Sequence, residues 1–181
     1  MSYPTPENGW VNTADGQDPT ALATAQSLLT ETLYGTLSTC SVDGLPWASP
    51  VFFGYDTAWN LYWSSTQAAQ HSQNLYANHG RATIAIYRTD QREGQVQGLY
   101  VSGIATEVEP AAVADVIPLL LQRGSPGQQR TPADYLALSP RRLYRLQPHR
   151  VWITGPRIAH SPTILIDTKI QLDLSALRPR S

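Results

Sequence analysis

The stretch LYWSSTQAAQHSQNL, residues 61–75, predicts a strand that passes directly into a helix. Its apolar start is typical of a strand, and residues 67–77 have the spacing of a short helix. Three hydroxyl residues, Ser64, Ser65 and Thr66, stand at the junction. The first backbone N–H groups of a helix lack partners, and the positive end of its dipole lies there. The junction therefore predicts a site that binds an anion.

The predicted helix also carries a candidate pair of polar residues. His71 and Asn74 are three positions apart, so they can share one face of the helix, one turn beyond the junction. The alternative is that Ser64, Ser65 or Thr66 only caps the helix, which is a common role for such residues. Taken alone, the stretch favours capping, so the rest of the chain is needed to decide between the two interpretations.

The segment before the junction predicts a helix followed by a hairpin. Asp18-Pro19 is suited to the start of a helix, and Gly35 is expected to end it. Strands are predicted over 37–41 and 47–55, on either side of Asp43-Gly44. Because glycine accepts the positive φ of a tight turn, this dipeptide indicates a hairpin.

The segment after the junction predicts more strands, with helices inserted between some of them. The predicted strands cover 82–88, 96–108, 143–153 and 163–166, and the predicted helices run from Pro110 to about Arg123 and from Pro132 onward. The fold class that follows is mainly β with inserted helices, in an antiparallel barrel that is closed or partly closed.

The chain length and composition favour one folded domain. The sequence has 181 residues, enough for one domain with a core. Residues 1–18 are rich in Pro, Gly, Asn and Asp and predict a flexible N-terminal arm. We expect the domain to cover residues 19–168 and a C-terminal tail to cover residues 169–181.

Charge and cysteine content exclude several classes of partner. The formal net charge is −1, which provides no positive field for nucleic acid or an anionic membrane, and no apolar run approaches the roughly 20 residues that span a bilayer. Cys40 is the only cysteine, so no disulfide can form within the chain. The start MSYPTPENGW lacks the features of a signal peptide. Together these features predict a cytoplasmic location.

The sequence contains no familiar catalytic motif. It has no G-x-S-x-G nucleophile elbow and no phosphate-binding loop that ends in Gly-Lys-Ser/Thr. Its four histidines show no close pair with metal-ligand spacing, so no metal site is predicted. Catalytic residues stay unknown at this point, and if the protein is an enzyme, a cofactor would carry its chemistry.

The order of these segments resembles the pyridoxamine 5'-phosphate oxidase family. TLSTCSVDGLPWASPVFFGYD (36–56) is similar to the paired strands that cradle the flavin ring in this family. ATIAIY (82–87) resembles its central strand and QGLYVSGIATEVE (97–109) its long strand with a mid-strand glycine. LYRLQPHRVWITGP (143–156) resembles its late Arg-Leu-x-Pro strand, so the likeness covers about residues 22–156.

The resemblance implies a divergent, FMN-binding split β-barrel that forms a homodimer and acts as an oxidoreductase on a small molecule. The backbone of Ser49, Pro50 and Val51 would line the edge of the isoalloxazine ring. The phosphate would be held by Ser64, Ser65 and His71, with Asn74 beside them. Gln97 would lie near the ring, and Trp152 would approach it from the neighbouring subunit.

Two departures from the family pattern bear on function. The oxidase holds the phosphate with an Arg on the second strand and a Lys after the junction. Here Ala48 or Ser49 falls near the first position and His71 near the second, so two fixed charges are replaced by neutral or titratable groups. The substrate-binding Arg-Leu-His segment near the family's C-terminus is echoed by Arg157 and His160 with the wrong spacing. Activity on pyridoxamine phosphate itself is therefore not expected.

Two alternatives to an FMN oxidoreductase stay open. The same barrel could hold FMN, haem or another planar molecule for storage or sensing, without catalysis. Related barrels also use a deazaflavin, so a deazaflavin-dependent reductase is the other alternative.

Large aromatic residues support the predicted homodimer. Strand alternation cannot point all of them into one small core, so some should lie on an outer face and contribute to an interface between subunits. The residues concerned are Trp47, Phe52, Phe53, Trp63 and Tyr100.

Overall fold

The computed structural model describes residues 11–12 and 15–177. The strands are β1 (Val11–Asn12), β2 (Tyr34–Cys40), β3 (Pro46–Phe52), β4 (Gly54–Tyr55), β5 (Leu61–Thr66), β6 (Arg81–Tyr87), β7 (Gly98–Glu107), β8 (Arg141–Thr154), β9 (Ile158–Ser161), β10 (Ile164–Ile166) and β11 (Lys169–Leu172). The α-helices are α1 (Pro19–Glu31), α2 (Gln70–Ala77), α3 (Val113–Leu121) and α4 (Leu174–Leu177), and short 3₁₀ helices cover Pro110–Ala112 and Pro132–Asp134.

The strands form one large sheet and one small one. The order of the large sheet is β1-β11-β8-β7-β6-β2-β3, while β4 pairs with β5 and β5 pairs with β8. The register is antiparallel between β2 and β3, β2 and β6, β4 and β5, β5 and β8, and β8 and β11, whereas the short strand β1 is parallel to β11. β9 and β10 form a separate antiparallel pair. The predicted fold class, mainly antiparallel β with inserted helices, is confirmed.

The hairpin predicted at Asp43-Gly44 is present. β2 pairs with β3 from Tyr34 opposite Phe52 to Cys40 opposite Pro46. Gly44 has a φ of +87°, which explains why glycine stands at this turn. This hairpin places β3, which carries the candidate site residues Ser49, Pro50 and Val51, beside β2.

Helix α1 begins where the sequence predicts and ends earlier than expected. Asp18 caps it, since its Oδ1 accepts a hydrogen bond of 2.8 Å from the N–H of Ala21. The helix ends at Glu31, and Gly35 lies inside β2, so the predicted end at Gly35 was wrong. The helix stops because the chain turns extended at Thr32, with φ −95° and ψ 119°, and the backbone then pairs with β3.

The junction between β5 and α2 also differs from the prediction. Ser64, Ser65 and Thr66 belong to the strand, where they pair with residues 141–143 of β8. The helix starts only at Gln70, and its N-cap residue Ala69 makes no side-chain cap hydrogen bond. The hydroxyl residues therefore lie in the ladder of the sheet, and the predicted cluster of hydroxyls at a helix start was wrong.

The segment after β7 packs on one face of β5. Pro118 lies inside α3 without interrupting the helix, and the change from 3₁₀ to α geometry falls earlier, at Val113. α3 contributes most of a buried apolar cluster that also contains Tyr62 of β5. The cluster members are Tyr62, Val113, Val116, Ile117, Leu120, Tyr135 and Leu143. It fixes α3 and the Pro132–Asp134 turn beside β5.

The chain divides into two compact units. The first comprises the described residues of Met1–Thr32, Ile86–Val101 and Arg150–Ser181, and the second comprises Leu33–Ala85 and Ser102–His149. The most buried side chains of the first include Leu29, Leu99 and Val151, and those of the second include Leu37, Leu61, Trp63, Ile84, Tyr144 and Leu146, all at 0–1% exposure. The residues Ser49, Ser64, Ser65, His71, Arg141 and Arg142, on which the sites described below depend, lie in the second unit.

The terminal segments carry regular structure where they are described. Val11–Asn12, within the predicted arm, forms β1, and Lys169–Leu172, within the predicted tail, forms β11. Residues 1–10, 13–14 and 178–181 lie outside the described residues. In the part of the chain that the structure covers, no helix is long and apolar enough to cross a membrane.

Candidate functional site

Side chains from three different elements meet at His71, the second residue of α2. The imidazole of His71 lies between two hydroxyls, with Nε2 2.8 Å from Oγ of Ser65 and Nδ1 3.1 Å from Oγ of Ser49. Trp47 extends the group, because its indole N–H donates to Oγ of Ser49 at 3.0 Å. We call Trp47, Ser49, Ser65 and His71 the histidine cluster.

Strand alternation explains which residues join the histidine cluster. Successive side chains of a strand point to opposite faces, so Trp47 and Ser49 share one face of β3. Ser65 of β5 is 9% exposed, and the side chain of His71 is equally buried. The cluster is thus assembled from two strands and a helix of the second unit.

The histidine cluster carries no fixed charge. Burial lowers the pKa of His71 from its usual value of 6.5, so the imidazole is neutral at pH 7. A neutral imidazole has one donor and one acceptor nitrogen, so one serine hydroxyl accepts from the ring and the other donates to it. The tautomer decides which serine does which. In either case, the cluster satisfies its own hydrogen bonds.

Asn74 is buried beside the histidine cluster but makes different contacts. Its Nδ2 donates to Oγ1 of Thr39 in β2 at 3.0 Å, and its Oδ1 accepts from Nε2 of Gln70 at 2.9 Å. Ser72 is also fully buried, and its hydroxyl donates to the carbonyl of Thr66 at 2.8 Å. These bonds hold α2 against β2 and β5, so Asn74 positions the helix that carries His71.

Ser64 lies apart from the histidine cluster. As the neighbour of Ser65 in β5 it faces the opposite side of the strand. There it lines a pocket of about 340 Å³, together with Phe52, Gln129, Arg130, Asp134, Tyr135 and Arg141. The structure therefore brings Ser65 and His71 together as the sequence predicts, and it does not bring Ser64 to them. We call the seven lining residues the arginine pocket.

The other residues of β3 that the resemblance implied are placed by their register. Pro50 is exposed and pairs with Thr36, while Val51 is buried and pairs with Gly35. A backbone role toward a ligand at these positions stays a prediction.

Gln97 and Trp152 belong to the first unit. Gln97 is exposed and immediately precedes β7. Trp152 is 8% exposed, its indole N–H has no partner among the described residues, and the ammonium of Lys169 lies 5.0 Å from its ring centroid. Burial lowers the pKa of Lys169. The approach of Trp152 to a cofactor of a neighbouring subunit stays a prediction.

A second polar group on α2 was not found by sequence reasoning. The hydroxyl of Tyr76 donates to Oε1 of Glu107 at 2.5 Å and lies 2.7 Å from the hydroxyl of Tyr144. Burial and the bond to Glu107 raise the pKa of Tyr76. Tyr144 in turn stacks on Trp63 at 5.6 Å between ring centroids. These contacts tie α2 to β7 and β8, and no spacing along the sequence predicts them.

Within residues 11–12 and 15–177, no three His, Cys, Asp or Glu side chains lie close enough together to hold a metal ion. The histidine cluster offers hydroxyl and imidazole groups to a ligand. Such groups bind anions by hydrogen bonds, and the imidazole adds a positive charge when it is protonated.

The sequence profile of the pyridoxamine 5'-phosphate oxidase family matches residues 22–155. The chain belongs to this family. The match covers most of the chain and includes every residue of the histidine cluster. The resemblance inferred from the order of the segments is confirmed, and so is the antiparallel split-barrel fold class that it implies.

Solved structures with the same fold have low sequence identity to the chain. A haem-binding protein from Mycobacterium smegmatis is 22% identical, with a TM-score of 0.63, over 88% of this chain and 60% of that one. The haem storage protein HutZ from Vibrio cholerae is 20% identical, with a TM-score of 0.59, over 71% of this chain and 91% of that one. An F420 reductase is 25% identical, with a TM-score of 0.54, over 70% of this chain and 94% of that one.

The chain spans only 60% of the length of the Mycobacterium smegmatis protein. It spans the same share of a structure of unknown function from Agrobacterium tumefaciens, at 22% identity and a TM-score of 0.63 over 80% of this chain. No curated protein matches the sequence. These likenesses support the fold.

Proposed function

We propose that the chain binds FMN and acts as an FMN-dependent oxidoreductase on a small molecule. The observation that supports this is the histidine cluster. Ser49 of β3 and Ser65 of β5 each lie within hydrogen-bond distance of the imidazole of His71 in α2. The family resemblance implies contacts of Ser65 and His71 with the flavin phosphate, and Ala48 or Ser49 falls near the position of the family's phosphate-binding Arg.

The histidine cluster offers donors that suit a phosphate. In the arrangement described, the two serine hydroxyls and the imidazole bind one another. With a phosphate present, each hydroxyl can donate to a phosphate oxygen, and a protonated imidazole can donate from a ring nitrogen. Bound FMN would supply the hydride- or electron-transfer chemistry, while Ser49, Ser65 and His71 would position its phosphate end.

Binding of a phosphate by this cluster should depend on pH. Burial lowers the pKa of His71 in the protein without ligand, and a doubly charged phosphate beside the ring would raise it. At a pH between the pKa of His71 in the free protein and its higher pKa in the complex, binding of the phosphate is therefore accompanied by uptake of one proton by the imidazole. Affinity for FMN should accordingly be highest at low pH and fall as the pH rises through this interval.

Titration of FMN into the purified apoprotein, followed by quenching of flavin fluorescence, tests the proposal. We expect saturable binding of one FMN per chain, stronger at pH 6 than at pH 8. H71K should strengthen binding at pH 8 and flatten the pH dependence, because a lysine keeps its charge there. The matched control is H149K, at an exposed position of β8, which should change neither property.

Two results would overturn this proposal. One is the absence of quenching at tens of micromolar FMN, which corresponds to a binding free energy weaker than about −6 kcal/mol. The other is an unchanged affinity in both H71K and H71A, since it would mean that the imidazole does not contact the ligand.

A second candidate is binding of a flavin or haem without catalysis. The observation that favours it is the lack of fixed positive charge in the histidine cluster, where the oxidase has an Arg and a Lys. The structures of similar fold named as a haem-binding protein and a haem storage protein support testing it. The absorption spectrum of the purified protein separates the candidates: flavin bands support the first, and a Soret band that persists after haemin titration and gel filtration supports the second.

We also propose that the FMN site is completed by a second copy of the chain. Apolar side chains of the β2–β3 hairpin are exposed, which supports an interface there: Tyr34 at 60%, Val42 at 76%, Leu45 at 69% and Trp47 at 48%. Sedimentation velocity at low micromolar concentration should show a dimer. A monomer that binds FMN at full strength would contradict this proposal.

A further inference from the structure

We propose that the arginine pocket is a binding site for a small aromatic or otherwise flat anion, separate from the histidine cluster. The pocket is lined by Phe52, Ser64, Gln129, Arg130, Asp134, Tyr135 and Arg141. It lies on the face of β5 opposite Ser65, so its occupation does not require any residue of the histidine cluster. The proposal therefore stands whether or not the chain binds FMN.

The wall of the arginine pocket is held in place by Arg142. Its guanidinium donates to the carbonyls of Tyr135, Ala137, Ser139 and Arg141 at 2.7–3.3 Å. It also lies 3.5 Å from Oε2 of Glu107. These bonds fix the segment from Tyr135 to Arg141, which supplies one side of the pocket. A site held in this way requires little ordering when a ligand binds.

The charges in the pocket favour an anion. The guanidinium of Arg141 makes no hydrogen bond or ion pair to any residue that the structure describes, and Arg130 bonds only to the amide oxygen of Gln128, at 3.0 Å. The one carboxylate of the lining, Asp134, already accepts from the N–H and hydroxyl of Thr131 at 2.7 and 3.1 Å. The lining thus offers two cations against one carboxylate that has its own donors.

The volume and the aromatic residues of the pocket favour a ligand with a single ring. A volume of about 340 Å³ lies at the lower end of the range for small-molecule sites, roughly 300–1,000 Å³, and suits a single ring better than a three-ring flavin. Phe52 and Tyr135 provide aromatic surface. Tyr135 is 3% exposed and also belongs to the buried apolar cluster beside α3, which holds it in place.

Benzoate is a suitable probe, and benzamide is its neutral control of the same shape. We expect benzoate to shift the backbone amide resonances of Ser64, Tyr135 and Arg141 in ¹H–¹⁵N spectra, with saturation in the millimolar range or below. R141M should weaken binding about tenfold, because a hydrogen bond between charged partners is lost. Benzamide should bind the unaltered protein about as weakly as benzoate binds R141M.

The control variant is R92M, at an exposed arginine outside the pocket, which should leave benzoate binding unchanged. The spectrum of R141M also reports whether that variant is folded, and S64L, which fills the pocket from β5, provides a second variant that should abolish binding. Absence of shifts at 10 mM benzoate would overturn the proposal. So would equal affinity for benzoate and benzamide, or displacement of benzoate by FMN in competition.

Discussion

The two faces of β5 show that adjacent residues of one strand can contribute to two different sites. On one face, Ser65 lies in the histidine cluster, where the buried imidazole of His71 is neutral and bonds to two serine hydroxyls. On the other, Ser64 lines the arginine pocket, where the guanidinium of Arg141 has no hydrogen-bond or ion-pair partner among the described residues. A ligand at the first face must replace existing bonds, whereas a ligand at the second meets a donor that is already available. We therefore expect the first face to be sensitive to protonation and the second to ligand charge.

The largest effect is expected from a core residue of β5 whose side chain lies on the same face as Ser65. Trp63 immediately precedes Ser64 in β5. It is fully buried and stacks on Tyr144. W63A should lower the free energy of unfolding by about 3–5 kcal/mol, the usual cost of removing a large buried ring. Both ligand sites should weaken with it. Urea unfolding followed by circular dichroism measures the loss.

The matched control for this prediction is W47A. Trp47 is 48% exposed and its indole makes one hydrogen bond, to Ser49. Its removal should cost no more than about 1 kcal/mol. If W63A and W47A lowered the free energy of unfolding by similar amounts, the difference in burial between Trp63 and Trp47 would be contradicted.

A smaller and selective effect is expected from Arg142. R142M removes the donors that bind four backbone carbonyls and the ion pair with Glu107. We expect a loss of about 1.5–3 kcal/mol in the free energy of unfolding, because the carbonyls lose a charged partner. Benzoate binding should disappear while FMN binding persists. R145M, at an exposed position of β8, is the control and should cost less than about 0.5 kcal/mol. Parallel loss of FMN binding in R142M would show that the two faces are not independent.

Much of the fold follows from local signals in the sequence. The Asp18 cap and the turn at Gly44 lie where the sequence predicts them, because each depends on a few adjacent residues. The start of α2 was predicted three residues early. Residues 64–66 continue β5 because they pair with β8, about 75 positions later in the chain, and local composition contains no signal for that pairing.

The candidate site was predictable only in part, for the same reason. The structure brings Ser49 and Ser65, both candidates from the sequence, into contact with His71, and their role in binding a ligand stays a prediction. Ser64 was grouped with them because neighbours in sequence were treated as neighbours in space, which alternation in a strand forbids. Trp47 could have been found, since it shares a strand face with Ser49. The arginine pocket could not, because its residues span positions 52 to 141.

The pH dependence of stability tests the neutral state of His71. Burial lowers its pKa in the folded protein, so the unfolded chain takes up this proton first as the pH falls below about 6.5. The stability associated with the neutral ring is present above that pH and is lost as the pH falls toward the folded-state value. In H71Q, unfolding free energies at pH 5 and pH 7.5 should differ less than in the unaltered protein. H149Q, at an exposed histidine, should keep the original difference. An equal difference in H71Q would mean that His71 is not buried in its neutral form.

The smallest predicted effect compares the two serines directly. Ser65 is 9% exposed and bonds to Nε2 of His71 at 2.8 Å, so S65A leaves a buried ring nitrogen without its partner. That should cost about 1–3 kcal/mol in the free energy of unfolding, near the lower end because the gap beside the ring can admit water. Ser64 makes no side-chain hydrogen bond to a described residue and opens on the arginine pocket, so S64A should change stability by less than about 0.5 kcal/mol. The two variants remove the same atom from adjacent positions of one strand, which makes each the control for the other. Urea unfolding of both at pH 7.5 measures the difference, and equal costs would show that the two faces of β5 are not distinguished by their hydrogen bonds.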